Sequence, residues 1–132
     1  MLTFLYTQCP DVCPLTAARL RTVYEQLGAD VSLPAVSVDP EQDTVAAAYD
    51  FSDRPDLLDR WSFLVGDRQQ LEAVWKDYFI GVRSVEGDVL HNAPIHRTDP
   101  DGRRQLLHPT GGETDAIIGE IVFGMRLRLN YP

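Results

Sequence analysis

The order in which strand-like and helix-like segments alternate constrains this chain's fold more than any other feature. Met1 to Tyr6 reads as a strand. A helix is expected over about Leu15 to Leu27, where Leu20, Val23, Tyr24 and Leu27 recur at helical spacing and Gly28 offers a stop. Val31 to Val38 reads as the second strand, ended by Asp39-Pro40. Asp43 is placed to cap a helix over about Thr44 to Phe51, which Asp53-Arg54-Pro55 breaks. Trp61 to Val65 is expected as a third, well-buried strand, closed by Gly66. Asp67-x-x-Gln70 has the form of a capping box. The helix behind it carries Leu71, Val74, Trp75, Tyr78 and Phe79 on one face; Trp61, Trp75, Tyr78 and Phe79 read as core. Gly81 to Leu90 reads as a mobile loop with a short strand at its start. Asn92 to Thr98 reads as a strand, Asp99-Pro100-Asp101-Gly102 as a turn, and Arg103 to Leu107 as the hairpin partner. A last helix, about Thr114 to Leu127, carries Ile117, Ile118, Ile121 and Val122. The order βαβαβα, hairpin, α favours an α/β sandwich with a mixed sheet, as one domain over residues 1–132.

Charge narrows the function. Twelve basic residues against 20 acidic ones give a formal charge of -8, so no basic face is available for a nucleic acid. An acidic surface favours solubility and attracts a basic partner or a cation. No apolar run reaches the roughly 18 residues of a membrane span. Met1 to Tyr6 lacks the basic region and cleavage site of a signal peptide. A start directly on a buried strand leads to the expectation that an upstream segment is missing.

The two cysteines stand out within Cys9-Pro10-Asp11-Val12-Cys13-Pro14. A structural disulfide framework needs more cysteines, spread further apart. A bridge between residues four apart closes almost no loop and contributes little stability. Metal binding, redox chemistry and two inert buried thiols remain as readings. Pro14 is suited to open the following helix. The cysteines then lie in the loop and first turn, where the helix N-terminus favours thiolates. Asp11 reads as a turn residue. Asp39 reads as a turn residue that also falls at the C-terminal edge of the sheet, where α/β folds place ligands.

The stretch Tyr6-Thr7-Gln8-Cys9-Pro10-Asp11-Val12-Cys13-Pro14 resembles the signature of the Sco/SenC family, with Gln8 where histidine or serine is usual. Ser37-Val38-Asp39-Pro40-Glu41-Gln42-Asp43-Thr44 resembles the family's second block, and Asp99-Pro100-Asp101-Gly102 its hairpin turn. His91 lies eight residues before Asp99, where the family has its ligand histidine. Leu90 replaces a commonly acidic residue, Asn92 a small hydroxyl residue, and Ala93-Pro94-Ile95-His96-Arg97 a more apolar strand.

The resemblance implies a thioredoxin-like fold, a three-layer α/β/α sandwich, here without the family's usual N-terminal hairpin and membrane anchor. It implies copper, held most readily as the cuprous ion by Cys9, Cys13 and His91. Soft thiolates and an imidazole suit that ion. The implied role is a metallochaperone for the dinuclear copper centre of cytochrome c oxidase. Its partner would be the oxidase's copper-binding subunit or another copper carrier. The implied location is the extracytoplasmic face of the cytoplasmic membrane or the periplasm. The alternative is a thiol–disulfide oxidoreductase acting on the target's cysteines through Cys9 and Cys13. Oxidoreductases of this fold use Cys-x-x-Cys, whereas three residues separate the cysteines here. His91, at the end of a mobile loop, would close on metal and swing away on transfer. His96, an odd number of residues further on, would face the other way, and His108 reads as surface. Ala93-Pro94 is a candidate cis bond beside the thiols.

Overall fold

The computed structural model describes residues 1–10, 12–92 and 94–107. Asp11, Ala93, His108 and the expected helix Thr114–Leu127 lie outside the described residues, and so does the candidate Ala93-Pro94 isomer.

Three short strands, β1 (Thr3–Leu5), β2 (Pro34–Ser37) and β3 (Ser62–Leu64), form a parallel sheet in the order β1-β2-β3. Thr3 pairs with Ala35 and Ala35 with Phe63; Phe4 pairs with Val36 and Val36 with Leu64. Partners in register share a face. Phe63 meets Phe51 of helix α2 (Val45–Asp53) at 5.7 Å between ring centroids. On the other face, Phe4 meets Tyr78, which caps helix α3 (Arg68–Asp77), at 5.8 Å. Helices α2 and α3 therefore cover opposite faces. Right-handed crossovers place α1 (Val12–Leu27) beside α2, giving three layers.

Strand β3 departs from the expectation of a well-buried strand. Ser62 and Leu64 are exposed and Phe63 is partly covered, because β3 ends the described sheet. A short apolar run does not distinguish an edge from a centre.

Strand β6 (Ile95–Thr98) pairs antiparallel with β7 (Arg104–Leu107) around the Asp99–Gly102 turn. Leu2 and His96 exchange both backbone hydrogen bonds at 2.8 Å. That antiparallel bridge docks β6 to the residue preceding β1 and gives the assembly its mixed character. His96 is buried, its ring edge-on to Tyr78 at 5.0 Å and to Phe4 at 6.0 Å.

Gly81 to Leu90, expected as a loop, instead holds an antiparallel hairpin of β4 (Val82–Val85) and β5 (Asp88–His91). The two turn residues, Glu86 and Gly87, both have positive φ, 30° and 84°. That is the left-handed geometry of a tight two-residue hairpin loop.

Two further expectations change. Thr44, not Asp43, caps α2, accepting from the Ala47 amide at 3.1 Å. Phe79, expected in the core, is 87% exposed with φ at 57°. The Phe79 amide donates to the Lys76 carbonyl and the Ile80 amide to the Trp75 carbonyl. This is a Schellman stop, with phenylalanine where glycine is usual. The Asp67–Gln70 capping box forms as read, its two hydrogen bonds at 2.8 and 3.1 Å. Phe4, Leu5, Leu20, Val23, Leu33, Leu57 and Ile95 are among the core side chains that are almost fully enclosed. No helix among the described residues is long and apolar enough to cross a membrane.

Candidate metal centre

Cys9 and Cys13 straddle the junction between β1 and α1, at the C-terminal edge of the parallel strands. Helix α1 opens at Val12, so Cys13 is its second residue and Pro14 its third. The sequence placed Pro14 at the opening position. Either position leaves the missing proline amide among the orphan donors of the first turn, so the helix loses no bond. Another orphan amide, that of Cys13, points at Cys9 Sγ at 3.4 Å. Both cysteines are free; Cys9 is partly exposed and Cys13 is 2% exposed.

Burial pushes the Cys13 thiol well up, and the neighbouring Cys9 adds to the shift. The helix N-terminus, expected to favour a thiolate, is opposed at Cys13 by desolvation. Burial thus favours the neutral Cys13 thiol.

The cysteine loop is pinned from below. Asp43 Oδ1 accepts from the Thr7 amide at 2.9 Å and the Thr7 hydroxyl at 2.7 Å, and Oδ2 accepts from the Ser37 hydroxyl at 2.5 Å. Ser37 Oγ in turn accepts from the Asp39 amide at 3.0 Å. Asp39 is buried, and its Oδ2 has no hydrogen-bond partner among the described residues. Burial, with Asp43 nearby, raises the Asp39 carboxyl above its ordinary value.

His91 ends β5, partly buried, with its ring edge-on to Tyr6 at 5.7 Å. A carbonyl only accepts, so the 2.9 Å contact between His91 Nδ1 and the Asn92 carbonyl places the proton on Nδ1. The Nε2 lone pair is then the one left for a ligand. Burial lowers the His91 pKa, favouring the neutral ring that metal binding needs.

Tyr6, which the sequence offered only as part of a motif, joins the two halves of the site. Its ring lies against His91, and its hydroxyl donates to Asp88 Oδ1 at 2.5 Å. Burial raises the Tyr6 pKa, and the Asp88 hydrogen bond and Cys9 raise it further.

The structure thus brings the Cys9 sulfur to the Cys13 amide in the first turn of α1 and sets the His91 ring against Tyr6, three residues before Cys9. No three His, Cys, Asp or Glu side chains among the described residues are gathered into a preformed metal cluster. The donor set still fits a soft ion: two free sulfurs of adjacent register and a neutral imidazole with Nε2 unprotonated.

Fold and site together define a thioredoxin-like domain with a paired-thiol centre at the start of its first helix. The SCO1/SenC family profile matches residues 1–125, and the chain belongs to that family. Among curated relatives, the mitochondrial SCO2 homolog of Bos taurus is 34% identical over 113 residues, spanning 77% of this chain and 42% of the bovine protein. The chain thus spans about two-fifths of the length of that relative. Among solved structures, Bradyrhizobium japonicum ScoI with copper bound superposes with a TM-score of 0.78. It is 29% identical, with 96% of this chain and 82% of that chain covered. BsSco, described with a disulfide switch and as a member of the Sco family of cytochrome c oxidase assembly proteins, superposes at 0.67. It is 28% identical, with 91% of this chain and 76% of that chain covered.

Proposed function

We propose that this protein binds one cuprous ion through Cys9 Sγ, Cys13 Sγ and His91 Nε2. It then passes the ion on for assembly of the dinuclear copper centre of cytochrome c oxidase. The observation that carries this reading is the pair of free cysteines, Cys9 in the loop and Cys13 in the first turn of α1 with its amide on the Cys9 sulfur, and the His91 ring set against Tyr6 of the same loop. Sco structures that hold copper share this fold, which supports the choice of metal. Binding releases the Cys13 proton, and His91 reaches the ion by a shift of the hairpin. Transfer follows by ligand exchange with a copper-binding oxidase subunit or another copper carrier. We place the process on the extracytoplasmic face of the cytoplasmic membrane or in the periplasm, and assign it to a single domain spanning residues 1–132.

The test is an anaerobic cuprous titration of the reduced protein against a chromophoric chelator, beside Cys9→Ala and His91→Ala. One copper per chain is expected, lost in Cys9→Ala and weakened at least tenfold in His91→Ala, as for loss of one ligand of three. Unchanged affinity in His91→Ala would remove the histidine from the site.

A second reading rests on the closeness of the Cys9 sulfur to the Cys13 amide and on the disulfide switch described for BsSco. The dithiol would then reduce a disulfide in the target. Two electrons and two protons pass to the target cysteines, and a Cys9–Cys13 disulfide is left behind. A wild-type protein that cannot hold copper against the chelator, yet reduces such a disulfide, would favour this reading.

A further inference from the structure

Among the described residues, the β4–β5 hairpin that carries His91 is not paired with the parallel sheet. Val89 buries itself in the core, and Val82 packs against it. Asn92 Oδ1 accepts from the Gly81 amide at 2.8 Å and Asn92 Nδ2 donates to the Phe79 carbonyl at 3.2 Å, tying the base of the hairpin to the end of α3. Toward the cysteines, one side-chain hydrogen bond crosses among the described residues: the Tyr6 hydroxyl to Asp88 Oδ1 at 2.5 Å, spanning 82 positions of sequence. Tyr6 is 5% exposed and leaves β1 three residues before Cys9. Asp88 opens the strand that His91 closes, and its Oδ1 also takes the Val89 amide at 2.8 Å, which fixes the carboxylate's direction. One rigid side chain therefore touches both ends of β5, Asp88 through its hydroxyl and His91 through its ring edge.

We propose that the Tyr6–Asp88 hydrogen bond is a latch that holds the His91 hairpin against the cysteine loop, making Tyr6 and Asp88 positioning residues for metal capture. The role in capture rests on the copper reading above; the latch itself does not. A closed latch keeps the imidazole against Tyr6, three residues from Cys9, before the ion arrives, so the hairpin need not be ordered at the moment of binding. An open latch frees β5 to carry His91 away.

Two measurements on the full chain, with Tyr6→Phe and Asp88→Ala, test this. The phenylalanine keeps the ring against His91 and removes only the hydroxyl; Asp88→Ala removes the acceptor from an exposed position. In the reduced, metal-free protein, amide hydrogen exchange of residues 82–91 is expected to rise about tenfold in either variant, as for one lost net hydrogen bond. The double variant should add nothing to the single ones, since both remove the same bond. Cuprous affinity by chelator competition should fall about tenfold in Tyr6→Phe, and that loss should vanish in a His91→Ala background. Unchanged hairpin exchange in Tyr6→Phe overturns the latch. Faster exchange with unchanged copper affinity overturns its role in capture. If the wild type holds no copper, the copper reading fails, while hairpin exchange in the metal-free protein still decides the latch.

Discussion

Asp43 accepts three hydrogen bonds, from the Thr7 amide, the Thr7 hydroxyl and the Ser37 hydroxyl, while only 4% exposed. Asp43→Ala leaves those donors without a buried acceptor. It is expected to destabilise the protein by about 2–4 kcal/mol in urea unfolding, against under about 1 kcal/mol for a surface Asp→Ala. Asp39 beside it behaves in the opposite sense. Its carboxyl is raised by burial and by Asp43, so the folded state holds the Asp39 proton to a higher pH than the unfolded chain does. Stability then falls as pH climbs from the ordinary carboxyl value of 3.8 through the folded value, and the penalty is complete above it. Asp39→Asn is expected to raise the urea midpoint at pH 7. The gain should shrink as pH is lowered and disappear once both states are protonated; a gain independent of pH would show that shape, not charge, is responsible.

At the scale of the element, the stop of α3 places a phenylalanine in a backbone conformation that glycine adopts without cost. Phe79→Gly removes that strain and an exposed ring while leaving the Lys76 and Trp75 carbonyls satisfied. Thermal unfolding should show a gain of about 1 kcal/mol. The same element scale decides what could be read from sequence. The Asp67–Gln70 box and the cysteine spacing were legible because they act within one turn of backbone. The β4–β5 hairpin was not, because its turn is Glu86-Gly87 and a glutamate at positive φ gives no Asn-Gly-type signal. Asp43 was misread as a helix cap because an aspartate before a helix usually serves there. Here Thr44 can do so, and Asp43 answers donors brought to it from residues 7 and 37. Tyr6 and Asp88 carry no local pattern at all; 82 positions separate them, and only the folded chain brings them together. Trp61, Trp75 and Tyr78 were read as core by periodicity. Phe79 continued that period two residues past the end of α3.

For the whole molecule, metal capture and fold stability are two views of one equilibrium. On the proposed three-ligand site, a cuprous ion held more tightly by the folded chain than by the unfolded one stabilises the native state, by at most RT ln(1 + [L]/Kd). Burial raises the Cys13 thiol and lowers the His91 pKa, so on the proposed site capture would expel at least the Cys13 proton while His91 would enter neutral. The apparent affinity should therefore rise with pH by about tenfold per unit for each proton released, with a slope of at least one between about pH 6 and 8. The midpoint of thermal unfolding in a fixed excess of cuprous ion should climb with pH over the same range. It should return to the metal-free value on adding a chelator. Cys13→Ser removes the raised thiol along with the ligand, so both the copper-induced rise in midpoint and its pH dependence should collapse together. A midpoint shift that survives in Cys13→Ser with the wild-type pH slope would mean that the ion is held elsewhere and that the buried thiol serves the core alone.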